Sequence, residues 1–266
     1  MIFFGLSTWA LAVVLVGIML GATAVGLVVS RAMGARSGDL REPFGVLQGA
    51  LVGFMGLVLA FGLSLAVGRY EARRANVVNE ANTIGTTYLR AQTLAEPVRT
   101  DSLELLRDYT DISIAISDTI PGSPDQQKAI ADSGEHQRRL WALAGRALDD
   151  EPTATAPRLY VESLNEMFDS QADRVYGLTN RVPTAVLILE VVGAATALAA
   201  LALHLGTFSR GLPTVLIAAV LVTLLLVVTF DLDRPTRGLI TIPPAPLIDV
   251  RTSMSAPPEA DAPGQP

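Results

Sequence analysis

The sequence predicts an all-α membrane protein, with four transmembrane helices and a cytosolic helical bundle inserted between the second and third spans. Three observations predict it. Half of the 266 residues are hydrophobic and 17% are charged, with a mean hydropathy of +0.41, a balance that soluble domains seldom reach. The apolar residues fall in blocks, at 2–30, 44–68, 182–206 and 212–230, and a block of about 20 apolar residues spans a bilayer core. The polar stretch between the second and third blocks repeats with a helical period and shows no strand alternation.

Residues 2–30 carry no charge. The run lacks a basic start and is longer than the apolar core of a signal peptide, which favours a span. A short polar loop follows, punctuated by Gly34, Gly38 and Pro43. The second span, 44–68, then continues without a proline as one helix to about residue 92. Gly45, Gly49 and Gly53 recur every fourth residue, a small-residue pattern that lets helix backbones approach. They fit packing within the chain, contact between subunits, or a pore lining.

Residues 69–181 form the polar domain. Arg69, Arg73, Asn76, Glu80, Thr83 and Thr87 share one helix face, with Tyr70, Val77, Ile84 and Tyr88 beside it. Helices are expected over roughly 97–117, from Pro124 to about 149, and from about 155 onward. Each has an apolar stripe, and short turns join them, as in a helical bundle. The third span, 182–206, holds one carboxylate, Glu190. A tight turn leads to the fourth span, 212–230. A structured tail, 231–253, precedes a disordered end, 254–266, rich in Pro, Ala and acid.

Composition excludes several classes of function. There is no Cys, so disulfides and thiolate chemistry are out. The two His, His136 and His204, are far apart, so no metal site is expected. Net charge is −6 with dispersed basic residues, which leaves no footprint for nucleic acid. No nucleophile–base pair, paired carboxylates or phosphate loop is present, so neither an enzyme nor a cofactor is expected.

Arg69, Arg73, Arg74, Arg174, Arg181, Arg234 and Arg237 flank the spans on the bundle side, against Arg31, Arg36, Arg41 and Arg210 opposite. That bias favours a multi-pass protein of the inner (plasma) membrane, with both termini and 69–181 in the cytoplasm. Arg69, Arg73, Asn76 and Glu80 are candidates to line an anion vestibule. The alternatives are headgroup contact for the Arg residues and bridging within the bundle for Asn76 and Glu80. Glu190 is either a proton or ion ligand or a hydrogen-bonded helix contact. Asp231, Asp233, Arg234 and Arg237 read as a salt-bridge network docking the tail on the bundle, with a cation site at the two Asp as the sharper alternative.

The block FGLSLAVGRYEARRANVVNEANTIGTTYLRA, 61–91, resembles a bacterial bestrophin-like family of membrane proteins, a domain of unknown function. DLDRPTRGLI, 231–240, and PLIDVR, 246–251, resemble it too. More distantly, the chain is similar to bestrophins, which are pentameric anion channels with a narrow apolar neck on the second membrane helix. That resemblance implies gate positions at Gly53, Leu57 and Phe61, with the helix leaving the membrane at Arg69–Tyr70. It departs in having Gly53 where a bulky residue would stand, a non-aromatic Leu57, and Tyr70–Glu71 in place of a Trp pair. The function implied is an oligomeric channel for anions such as chloride, in contact with lipid and with copies of itself. The alternative is a membrane scaffold or sensor whose cytosolic bundle binds a protein partner.

Overall fold

The computed structural model describes residues 7–33, 41–206, 211–236 and 238–256, with side chains from Gly45 onward in the second stretch. Among these residues there are helices and no strands. They are α1 (Thr8–Met33), α2 (Arg41–Ala91), α3 (Val98–Ser117), α4 (Pro124–Asp150), α5 (Thr155–Thr179), α6 (Thr184–Leu205), α7 (Gly211–Leu232) and α8 (Ala245–Ser253). Four helical segments, with α1, the start of α2, α6 and α7 as their apolar parts, are long and apolar enough to cross a membrane. α8 lies inside the stretch that composition marks only as a structured tail. Residues 2–6, Arg237 and 257–266 lie outside the described residues.

The chain divides into two compact units. The first holds the described residues of Met1–Tyr70 and Arg181–Thr241. Its helices are apolar nearly all round, so burial within the chain falls on narrow stripes. On α1 the stripe is Leu11, Leu15 and Met19, four residues apart. It meets Leu187, Val191, Ala194 and Leu198 of α6 and Ala219, Leu226 and Phe230 of α7. On α2 the buried residues are Met55, Leu59, Gly62 and Ala66, spaced as one helix face.

The second unit holds the described residues of Glu71–Asn180 and Ile242–Pro266. Its helices are amphipathic, and their apolar faces make one core. Val77, Ile84 and Tyr88 of α2 pack with Leu106 and Tyr109 of α3, Leu140 and Ala144 of α4, and Leu164 and Met167 of α5. Helix starts follow local chemistry. Ser123 caps α4 by accepting from the Gln126 N–H, with Pro124 at the first helical position, where its missing N–H costs nothing. Leu247 and Met254 join this core. The Tyr88 hydroxyl and the Arg107 Nε both donate to the Met254 carbonyl, each at 3.2 Å.

Candidate functional site

Within the first unit, Gly53, Leu57 and Phe61 lie on the α2 face opposite the buried stripe. Leu57 is 54% exposed and Phe61 64%. A Cβ at Gly49 or Gly53 would meet open space, so these glycines of the four-residue repeat make no close packing with the described residues. Close packing between α2 and α6 occurs further along. Met55 fills the hollow at Gly193, and the Glu190 carboxylate occupies the hollow at Gly62.

Glu190 is fully buried. Neither of its oxygens has a hydrogen-bond partner among the described residues.

Asp231 and Asp233 act on the ends of this unit. Asp231 accepts from the Thr8 hydroxyl at 3.2 Å and from the Leu239 and Ile240 N–H groups at 2.9 and 2.8 Å. Asp233 accepts from the Val182 N–H at 3.0 Å. Arg234 is buried beside them. These contacts tie segments of the first unit to one another through backbone N–H groups and the Thr8 hydroxyl.

In the second unit the stripe Arg73, Asn76, Glu80, Thr83, Thr87 faces α5. Arg73 donates to the carbonyls of Gly177 at 3.1 Å and Asn180 at 2.8 Å. These are orphan acceptors at a helix C-terminus, where a cation also meets the negative end of the helix dipole. Asn76 donates to the Asp173 carbonyl at 3.1 Å. The Thr83 hydroxyl bonds Ser170 at 2.7 Å, and Thr87 donates to the Ser163 carbonyl at 3.0 Å. The result is a polar zipper in which one α2 face is engaged along α5.

Glu80 is the centre of that zipper. It pairs with Arg174 at 2.5 Å and accepts from Ser113 at 2.9 Å. Arg174 also donates to Ser117 at 2.8 Å and to the Ser113 carbonyl at 2.7 Å. Gln171 donates to Ser113 at 3.1 Å and accepts from Ser133 and Gln137. Burial pushes the Glu80 carboxyl above its ordinary value, while Arg174, Ser113 and Gln171 pull it down by less. Arg174, Ser113 and Gln171 were not singled out from the sequence for this role. Ser and Gln carry no signal of burial, and Arg174 reads as a residue near a span end.

Beside the stripe that faces α5, Glu71, Arg74, Ala75, Val78, Asn79 and Asn82, with Asn76 at the border, line a shallow open groove. Arg69, in the first unit, is half-buried. No group of three or more His, Asp or Glu able to hold a metal occurs among the described residues.

A family model described as a bestrophin-like domain matches residues 14–247. Among solved structures, a bacterial bestrophin homolog from Klebsiella pneumoniae is similar over 89% of this chain and 96% of its own, with 12% identity and a TM-score of 0.67. A single-residue variant of a bacterial bestrophin homolog from the same organism matches over 91% of this chain and 99% of its own, with 12% identity and a TM-score of 0.69. A structure described as a membrane protein variant matches over 89% and 96%, with 13% identity and a TM-score of 0.69. At such identities the likeness is one of fold. No curated protein matches the chain in sequence.

Proposed function

We propose that this chain, which belongs to the bestrophin-like family, forms a homo-oligomeric, anion-permeable channel whose pore is lined by α2 at Gly53, Leu57 and Phe61. The observation that carries the reading is the uncovered face of α2. Its packed stripe faces α6, while Leu57 and Phe61 stay more than half exposed. A ring of α2 helices from several copies would cover that face and leave an apolar constriction, with Phe61 the bulkiest of the three. Gly49 and Gly53, open in the single chain, would let neighbouring helices approach at one end of the ring.

Arg69 supplies positive charge next to the neck, and a ring of Arg suits anions. Arg73 and Glu80 are weaker vestibule candidates, because α5 already engages them. The exposed Arg74, Asn79 and Asn82 of the second unit are better placed to meet water. The Arg bias around the spans supports an inner membrane setting with the second unit in the cytosol. Since the chain has no Cys, Lys128→Cys labelled with an impermeant maleimide reports that sidedness. Labelling from the periplasmic side alone would reverse it.

The test of function is chloride flux from liposomes carrying the purified protein, wild type beside Phe61→Ala. The variant is expected to leak faster by about tenfold or more, the scale set by about 1.4 kcal/mol off a barrier. Equal flux removes Phe61 from the pore, and no flux in either folded protein sinks the channel reading.

A second reading is a scaffold whose second unit binds a protein. The inward use of Arg73 and Glu80 favours it, since the open groove then mixes Glu71 with Arg74 and is not an anion-attracting surface. A stoichiometric partner co-purifying with a flux-silent protein would decide for it.

A further inference from the structure

Glu190 lies on α6 among apolar residues of a candidate span. It is 0% exposed, and both carboxylate oxygens lack a hydrogen-bond partner among the described residues. The helix opposite is built to receive it. A Cβ on Gly62 of α2 would coincide with the carboxylate, so only glycine leaves this hollow. The position is therefore a shaped receptacle for one acidic side chain.

Among the described residues, the surroundings offer no partner for a charge. On α2 the nearest ionisable groups are Arg69 and Tyr70, seven and eight residues beyond Gly62, roughly 10–12 Å along the axis at 1.5 Å per residue. α7 carries only Asp231, which is engaged with Thr8, Leu239 and Ile240. α1 carries only Arg31, in its last turn, and α6 adds His204, also in its last turn. Arg181, Asp233 and Arg234 stand outside the helices at the span ends, with Asp233 on the Val182 N–H. An isolated carboxylate taken from water into apolar surroundings is strongly disfavoured and takes up a proton instead.

We infer that Glu190 is a proton-binding site: the neutral acid seats on Gly62, and loss of the proton to bulk water unseats it and loosens α2 from α6 at that level. The ligand is a proton, and the responding element is the α2–α6 contact. The inference does not rest on the pore reading. If both hold, the switch acts on the back of the helix that carries Phe61.

The experiment is infrared spectroscopy of the full chain in lipid, titrated from about pH 5 to about pH 9, wild type against Glu190→Gln. The expected result is a protonated carboxyl band at low pH that disappears as pH rises and is missing from the variant. A carboxylate at every pH overturns the inference, and so does a protonated band that persists unchanged to the top of the range. A second test does not depend on that variant folding. Gly62→Ala is expected to lower the thermal midpoint in the wild type by several degrees and leave it unchanged in a Glu190→Ala background, where the hollow has room for the methyl. Equal losses in both backgrounds overturn the seating of Glu190 on Gly62. Chloride flux enters neither readout, so failure here and failure of the channel reading are distinguishable.

Discussion

Glu80 and Glu190 are both fully buried carboxylates on helices, and their surroundings are opposite. Glu80 meets Arg174 and Ser113, with Gln171 and Ser117 completing the network. Glu190 meets Gly62 and, among the described residues, no donor. In the second unit, acid and base hold each other and fasten α2 to α5. In the first unit no described residue holds the acid in its charged form. A buried carboxylate fastens structure where its partners are buried with it, and is costly to keep charged where they are missing.

The comparison breaks most visibly at Arg174. Arg174→Met leaves Glu80 buried and unpaired, and is expected to lower the unfolding free energy of the purified protein by about 3–5 kcal/mol. Adding Glu80→Met should recover part of that loss, because an apolar pair leaves no orphan charge. Denaturant unfolding in detergent measures both, and a loss under about 1 kcal/mol for Arg174→Met would show that the pair is not the fastening it is taken for.

Alkaline pH tests the second unit in another way. Tyr160 is fully buried, and burial pushes its hydroxyl from 10.0 up to about 12. Burial moves Tyr109 further in the same direction. The folded state prefers the neutral phenols, so their contribution is intact below pH 10 and falls as pH rises through the folded values. From 10.0 to about 12, the loss is worth roughly 2–3 kcal/mol for Tyr160. Tyr160→Phe should therefore move the alkaline unfolding midpoint upward in circular dichroism, and an unmoved midpoint would refute the assignment.

Glu190→Gln sharpens the contrast from the other side. An amide replaces a neutral acid of the same shape, so the stability change near neutral pH should stay within about 1 kcal/mol. A loss as large as that at Arg174 would place a hidden partner beside Glu190. The smallest effect is expected at Arg251–Asp111, a two-bond pair at 2.7 and 3.0 Å on the rim of the second unit. Asp111 is half exposed, so Arg251→Ala should cost only about 0.5 kcal/mol after solvent screening. Added salt should shrink it further, in contrast to the Glu80–Arg174 pair.

The helical class and the four apolar helices were legible in the sequence, because both depend on neighbours along the chain. A bilayer core demands about 20 apolar residues in a row, and a helix satisfies its own backbone. The face shared by Arg73, Asn76, Glu80, Thr83 and Thr87 was legible for the same reason, since a period of 3.6 places them together. What covers that face was not, because its partners Ser163, Ser170, Asp173, Arg174 and Gly177 lie 76 to 104 residues away in the contacts they make. A polar stripe reads alike whether it meets water or another polar helix. Glu190 stood out as an acid in an apolar run. Only tertiary structure set it against Gly62, because a glycine's value as a hollow depends on which side chain is brought to it.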